Sequence, residues 1–207
     1  MRSPYDYADK MLAKLKQYVS AEFHNTANLM AFDEINVASV KALTVDLYDR
    51  LMSRNEQVFR RVIRQAYGAV SGDEMSEGID VALVLVLMNR YHPVTQYVYR
   101  REARRKQERL MEAILSAPDR ETARAAFNKA AKLWFNQSRQ YVDFSVADAR
   151  EHAFKDAGVE KVRYRSEHDE RTCTECRAFD GKVFRLQDAP WLPRHHRCRC
   201  WLEPVRE

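Results

Sequence analysis

The chain has 207 residues, of which 31% are charged and 45% hydrophobic. It is therefore long enough for one ordinary domain and too apolar for a disordered protein. Only five glycines and six prolines are present, which argues against an all-β protein with many tight turns and favours long helices. A net charge of +5 is compatible with an anionic partner without establishing one.

Neither a secretory signal nor a membrane span is predicted. The first residues are polar and charged and lack the apolar segment of a signal peptide. The most apolar run, residues 79–88 (IDVALVLVLM), is about half as long as a bilayer requires and contains Asp80. We interpret this run as a buried helix and expect no membrane contact.

Helical spacing of apolar residues begins near the N-terminus. A first helix over residues 11–32 places apolar side chains at steps of three or four on one face, namely Leu12, Leu15, Val19, Phe23, Ala27 and Met30. Asp33 is the predicted N-cap of a second helix, which ends in the glycine-containing stretch 68–78. The N-terminal part is therefore predicted to consist of long amphipathic helices.

A third helical region spans residues 79–115, and His92-Pro93 is expected to kink or break it. After this point basic residues crowd nearly two turns, namely Arg100, Arg101, Arg104, Arg105, Lys106 and Arg109. One interpretation is a basic patch for DNA or for an acidic protein surface. The other is a solvated helix face that has partial counter-charges at Glu102, Glu108 and Glu112.

A last long helix is predicted to begin at Pro118-Asp119 and to end at Gly158, because the stretch between them is rich in alanine and in helix-forming residues. Its aromatic residues are spaced for core packing.

The pattern then changes to period two, which predicts a strand over residues 159–166. Further strands are predicted over 182–185, after the turn dipeptide Asp180-Gly181, and over 199–205. The fold class is thus mainly α. We expect a helical body over residues 1–158 and a small C-terminal α+β subdomain over residues 159–207, with a zinc-stabilised antiparallel sheet.

All four cysteines lie in the predicted subdomain, as the pairs Cys173/Cys176 and Cys198/Cys200, and His195 precedes the second pair. In a cytosolic chain this combination indicates metal or redox chemistry before structural disulfides. A CxxC turn lets two thiolates reach one ion at about 2.3 Å. Alternate residues of a strand face the same side, so the second pair is expected to point at the same ion.

Five candidate ligands thus compete for the four positions of one tetrahedral zinc. We favour Cys173, Cys176 and Cys198, with His195 ahead of Cys200 for the fourth position. A metal would supply stability that so small a region cannot obtain from its own core. Four protein ligands leave no position for a water molecule, so we expect a structural ion and assign no catalytic residue.

Three other interpretations of the cysteines remain open. A thiol redox site of thioredoxin type requires a CxxC at a helix start in a βαβ unit, a context that the sequence does not show. Disulfides between the CxxC and CxC pairs are an option if the protein works outside a cell. A nuclease site would need His195 or His196 beside further acidic ligands, and none is suitably spaced.

At these residues the sequence resembles the phage Mu F-like head morphogenesis family, the minor head proteins of tailed bacteriophages. The resemblance covers about the last fifth of the chain closely, and the upstream helices resemble the family in kind. The matching residues are Asp169, Arg171, Thr172, Cys173, Cys176, Phe179, Asp180, Gly181, Lys182, Val183, Phe184, Pro193, His195, Cys198, Arg199 and Cys200.

The resemblance implies a minor head protein that is present in few copies in the virion or procapsid and is assembled in the host cytoplasm. The implied partners are the portal protein, the major capsid protein or both, at or near the portal vertex. It implies no reaction, so we expect no enzyme. An alternative is a DNA-binding zinc module that assists packaging or ejection and contacts phage DNA through Arg100, Arg101, Arg104 and Arg105.

The chain also departs from the family pattern. Family members usually have Pro and Asn between the histidine and the first cysteine of the CRC motif, where this chain has His196 and Arg197. We therefore expect the ligands to be kept and the turn before them to differ. Asp169 and Arg171 flank the CxxC and are expected to support it by hydrogen bonds, Arg171 to Asp169 or Asp180. The alternative for both is ordinary surface charge.

Overall fold

The computed structural model describes residues 3–32, 35–76, 78–168 and 172–205. Helices dominate these ranges: α1 (Asp6–Leu29), α2 (Val37–Ser71), α3 (Ile79–Asn89), α4 (Tyr99–Leu115), α5 (Arg120–Asp156) and α6 (Thr174–Phe179). Five short strands accompany them: β1 (Tyr91–His92), β2 (Tyr97–Val98), β3 (Lys161–Arg165), β4 (Val183–Arg185) and β5 (Trp201–Pro204). The prediction of a mainly α protein with a small C-terminal antiparallel sheet is confirmed.

The first two helices follow the predicted apolar spacing, and all six residues proposed for the buried face of α1 are buried. α2 begins at Val37 because Asn36 caps it. The Asn36 side chain accepts a hydrogen bond from the Ser39 backbone N–H at 2.9 Å, and the Ser39 hydroxyl accepts one from the Asn36 N–H at 3.4 Å. Asp33, the predicted cap, lies outside the described residues. Gly72 ends α2 in the left-handed conformation with φ 79°.

The apolar run 79–88 forms α3, but the prediction that this helix is buried is wrong in part. Val84, Leu87 and Met88 are buried, whereas Leu85 is 44% exposed and Val86 is 53% exposed. A helix that packs against α2 and α5 buries only the side that faces them. Because α3 carries apolar residues on its other sides as well, some of these remain exposed. No helix within the described ranges is long and apolar enough to cross a membrane.

The region after α3 is broken at His92-Pro93 and not merely kinked. The chain leaves α3 at Asn89, pairs β1 with β2 as a short antiparallel hairpin, and resumes a helix at Tyr99. Downstream, Asp119 caps α5 as predicted, and its carboxylate accepts a hydrogen bond from the Thr122 N–H at 2.7 Å. Gly158 follows the end of α5 with φ 63°, as expected of a residue just past a helix.

The helical core is organised around α5, which packs against α1, α2 and α4. Its Trp134 meets Tyr48 edge to face with ring centroids 5.1 Å apart, and its Tyr141 lies 4.5 Å from the ring of Tyr99. The buried amide of Asn55 donates hydrogen bonds to Ser138 Oγ at 2.6 Å and to the Tyr99 hydroxyl. The two N–H groups of this amide are thus used inside an aromatic core, whereas its Oδ1 is buried without a hydrogen-bond partner in the described structure.

In the C-terminal sheet, β3 is the central strand and pairs antiparallel with both β4 and β5. Val162 lies opposite Phe184 in β4, and Tyr164 lies opposite Leu202 in β5. Val162 and Tyr164 are fully buried, and their neighbours in β3 are more exposed, as the period of two predicts. Tyr164 belongs to a second, small core with Leu192 and three cysteines, Cys176, Cys198 and Cys200.

His92 connects the β1–β2 hairpin to α5 and to the C-terminal region. Its ring stacks on Phe144 with centroids 3.4 Å apart and on Trp191 at 4.9 Å. The side chain is 0% exposed, and Nδ1 accepts a hydrogen bond from the Val94 N–H at 3.3 Å. Burial, with a smaller contribution from the nearby Arg90 charge, lowers the pKa of His92 to about 4. The fold therefore holds this imidazole neutral.

We expect the free energy of unfolding to decrease as the pH falls from about 6.5 to about 4. An unfolded histidine has a pKa of about 6.5, so the unfolded state binds more protons in this window and acid favours unfolding. The neutral ring contributes at most about 3 kcal/mol, which is present above pH 6.5 and lost toward pH 4. Urea melts across this range measure the change. His92→Phe keeps an aromatic stack and should remove most of this slope, and equal slopes in the two proteins would contradict the assignment.

Candidate metal centre

The CxxC pair is positioned by α6. Cys173 is the N-cap of this helix, and its sulfur accepts a hydrogen bond from the Cys176 N–H at 3.4 Å. Burial is the largest single effect and raises the pKa of the Cys173 thiol, but hydrogen bonds from Cys176 and from the Glu175 backbone, together with the nearby His195, lower this pKa overall. Cys176 is fully buried and receives a hydrogen bond from the Tyr164 hydroxyl at 3.3 Å. One turn thus brings two sulfurs to the same side.

His195, which precedes the second cysteine pair, lies close to the Cys176 sulfur. Its Nε2 lies 3.4 Å from Cys176 Sγ, and its Nδ1 lies 3.0 Å from the carbonyl oxygen of His196. Because a carbonyl oxygen only accepts hydrogen bonds, Nδ1 carries the proton and Nε2 keeps its lone pair. Histidines that bind metals are oriented by a hydrogen bond from the second ring nitrogen in this way. The His196 side chain is exposed and joins no ligand group.

Cys198 and Cys200 complete the cluster. Both are buried, and Cys198 Sγ lies 4.0 Å from Cys176 Sγ. A hydrogen bond from the Cys200 thiol lowers the pKa of Cys198 to about 5, and the same contact with burial raises the pKa of Cys200. Zinc binds the thiolate form. Within this pair Cys198 ionises more readily than Cys200, but burial also raises the pKa of Cys176 to about 11, so thiol acidity alone does not rank the ligands. Cys198 and Cys200 precede β5 and do not lie in a strand, contrary to expectation.

The five donor atoms form two triads that share Cys176. The first triad consists of Cys173, Cys176 and His195, and the second consists of Cys176, Cys198 and Cys200. Within each triad the donor atoms lie within 4.8 Å of one another. Around a tetrahedral zinc, two thiolates lie about 3.8 Å apart and a thiolate and an imidazole nitrogen about 3.6 Å apart. The observed separations of 4.0 Å and 3.4 Å are close to these values. The donors of each triad are therefore close enough to bind a metal ion.

The structure also bears on the competing interpretations. All four cysteines are free, so no disulfide joins any two of them. The CxxC motif lies at the start of helix α6, whereas the sequence predicted a simple turn there. However, α6 has only six residues and the sheet order β4-β3-β5 is antiparallel, so the βαβ unit of a thioredoxin-type site is not formed here.

Two contacts near the candidate metal centre could not be predicted from the sequence, because they join distant parts of the chain. Arg199 Nη2 lies 2.9 Å from a carboxylate oxygen of Asp9 in α1. The Tyr5 hydroxyl donates a hydrogen bond to the Cys200 carbonyl at 3.1 Å. No periodicity in the sequence signals either contact.

The residues expected to support the site are only partly described. Asp169 and Arg171 lie outside the described residues, so their role stays a prediction. Asp180 accepts a hydrogen bond from the Ser166 N–H at 2.8 Å and lies 2.9 Å from His168 Nε2. The turn at Asp180 is therefore fixed to the end of β3.

The arginines of α4 lie apart from this centre. Arg100 pairs with Glu56 of α2 at 3.6 Å, and Glu102 faces Arg105, Lys106 and Arg109 at 3.9, 3.2 and 4.0 Å. Arg101 and Arg104 are exposed. These ion pairs are those of a solvated helix face with counter-charges, and a contact of Arg100, Arg101, Arg104 and Arg105 with DNA stays a prediction.

The turn before Cys198 is made at Arg197, which adopts a positive φ of 62°. Its N–H donates to the Gln140 side-chain oxygen of α5 at 3.0 Å. Residues other than Gly, Asn and Asp rarely adopt this left-handed backbone conformation, because it brings the Cβ too close to the following carbonyl oxygen. The family pattern has Asn at this position, so the departure in sequence coincides with a strained residue.

We expect Arg197→Asn to stabilise the protein by about 0.5–1 kcal/mol, because Asn tolerates the left-handed region better than Arg. Urea denaturation at neutral pH measures the change. His196→Asn is the matched control, since His196 is the exposed neighbour and has no positive φ. A stability gain in the control as large as that of Arg197→Asn would show that backbone strain is not the cause.

Comparison with known proteins places the chain in a family. The family model described as Phage Mu protein F like protein matches residues 90–203, which is more than half of the chain. The match begins well upstream of the cysteine-rich segment and includes α4, α5, the three-stranded sheet and all five candidate ligands. Searches of curated proteins and of solved structures gave no match. The chain therefore belongs to the phage Mu F-like family of phage head morphogenesis proteins.

Proposed function

We propose that this chain is a non-catalytic minor head protein that acts at or near the portal vertex, and that one structural zinc holds its C-terminal subdomain together. The observation that carries the proposal is the convergence of five metal-binding side chains in a member of a head morphogenesis family. The helical body over residues 1–158 and the subdomain over 159–207 are proposed as its two parts.

The proposed zinc joins two segments that the chain separates. Cys173 and Cys176 come from the start of α6, whereas His195 and Cys198 come from the segment that leads into β5. The core around Tyr164 is small, so a metal bond between these segments supplies much of the stability of the sheet. Cys200 is proposed to remain a thiol that donates to Cys198. With four protein ligands the ion has a structural role.

We expect purified protein to contain about one zinc per chain, and chelation to lower the melting temperature, because metal binding is coupled to folding. Cys173→Ser, Cys176→Ser and Cys198→Ser should each lose the ion, since each removes a thiolate ligand. Elemental analysis with calorimetric melts in the presence and absence of chelator measures both effects.

Cys200→Ser is the matched control and should keep zinc. Loss of zinc in this variant together with retention in Cys198→Ser would reverse the ligand assignment. A folded protein that takes up no zinc under reducing conditions would contradict the metal site itself.

The proposed partners are the portal protein, the major capsid protein or both. Family membership supports this, and α3 offers a suitable surface. Leu85 and Val86 present apolar side chains to solvent on a protein whose surface is otherwise rich in charge. Contiguous apolar patches mark protein interaction sites, and we propose that Leu85 and Val86 form part of such a patch once the partner is bound.

We expect the tagged chain to be found in purified heads in few copies at one vertex, by quantitative mass spectrometry and by imaging of the tag. Leu85→Gln with Val86→Gln should weaken binding to the portal or capsid protein by about tenfold, because two apolar contacts are lost. Val45→Gln, which changes an exposed residue of α2, is the control. Absence from heads, or a copy number equal to that of the major capsid protein, would contradict the portal-vertex role.

A further inference from the structure

A large cleft lies between the C-terminal half of α5 and the region of the sheet. Its volume is about 1070 Å³. Arg150 and Phe154 of α5 line one wall, and Trp191, Leu192 and Trp201 line the other. Small-molecule pockets usually have volumes of about 300–1,000 Å³, so this α5 cleft has room for a ligand at or above the upper end of that class.

Arg150 is incompletely satisfied in the wall of the α5 cleft. One guanidinium nitrogen donates to the Leu202 carbonyl at 2.7 Å, and the guanidinium lies 5.5 Å from the ring centre of Phe154. Its Nε is buried without a hydrogen-bond partner, and within the described ranges no carboxylate pairs with it. Burial of the group lowers its pKa, an effect that Tyr5 and Glu203 partly oppose. A partly buried cation without an ion pair retains an uncompensated charge and therefore favours an anionic ligand.

The remaining lining adds positive charge and aromatic surface. Lys155, Lys161 and Arg185 outnumber the acids Glu151 and Glu160. Glu151 pairs with Lys155 at 2.6 Å, so these two charges compensate each other. By formal charge, the described lining besides Arg150 then has one cation more than it has acids.

Trp191 supplies an apolar contact surface. One face of its ring stacks on His92, yet the residue remains 40% exposed and lines the α5 cleft. Tryptophan is enriched at binding sites because a large rigid ring contributes much contact area. The α5 cleft thus combines a partly buried guanidinium with a half-exposed indole.

We propose that the α5 cleft binds an acidic peptide segment of a partner protein, one that carries a large apolar side chain beside a carboxylate. The carboxylate accepts from Arg150, and the apolar side chain packs on Trp191 and Leu192. Charge complementarity selects an acidic ligand, and the size and aromatic lining select a peptide with an apolar anchor. This proposal depends neither on the zinc site nor on the portal-vertex role.

The test uses the full chain with fluorescein-labelled peptides in fluorescence anisotropy. The probe has two acidic residues on each side of a Phe-Leu pair. One comparison peptide replaces the acids by lysine, and a second keeps the acids and replaces Phe-Leu by serine. Saturable binding of the first peptide alone, with a change in tryptophan fluorescence, is the expected result.

Arg185→Glu and Arg150→Gln should each weaken binding of the acidic peptide by at least about tenfold, since each removes an interaction with a charged group. Arg185 is exposed, so its variant is expected to fold even if Arg150→Gln loosens the packing at Leu202. Arg104→Glu on α4 makes the same charge change outside the cleft and should bind normally. Melting curves and zinc content verify that the variants are folded.

Several outcomes would overturn the proposal. Equal binding of the lysine peptide removes the charge requirement, and equal binding of the serine peptide removes the apolar anchor. Unchanged affinity in folded Arg185→Glu places the peptide elsewhere. A dimer detected by sedimentation that Arg185→Glu disrupts, in a protein that does not bind the acidic peptide, would assign the cleft to a second copy of this chain.

Discussion

The antiparallel pairing of β3 with both β4 and β5 is the constraint on which the C-terminal region depends. Because β3 is central, the segments on either side of it are drawn together, and α6 meets the turn before β5. The result is that cysteines 22 positions apart in sequence lie 4.0 Å apart at their sulfurs. Strand pairing brings the thiols into groups that are close enough to bind a metal ion.

Most of the helical architecture follows from local signals in the sequence. The spacing from Leu12 to Met30 marks the buried face of α1, and Asp119 and Gly158 mark the two ends of α5. These signals act within a few residues, so they can be recognised without knowledge of the fold. The five candidate ligands were recognised for a similar reason, since their types and spacing are characteristic of zinc motifs.

What the sequence does not reveal depends on contacts between distant elements. The exposure of Leu85 and Val86 is decided by which side of α3 meets α2 and α5, and an evenly apolar helix contains no information on that choice. The sequence predicts Asp33 as the cap of α2, and the structure shows Asn36 in this role. Asp and Asn are equally good cap residues, so residue type does not decide between the two positions. The unequal pKa values of Cys198 and Cys200 arise from one hydrogen bond between them, which spacing alone does not specify.

The hydrogen bond from Tyr5 to the Cys200 carbonyl joins positions that are 195 residues apart. Closing so long a loop is slow compared with forming a helix or a hairpin. During synthesis, Tyr5 therefore cannot make this contact until the segment around Cys200 has left the ribosome. Folding of the N-terminal helices alone leaves the hydroxyl of the α1 N-cap residue without this partner.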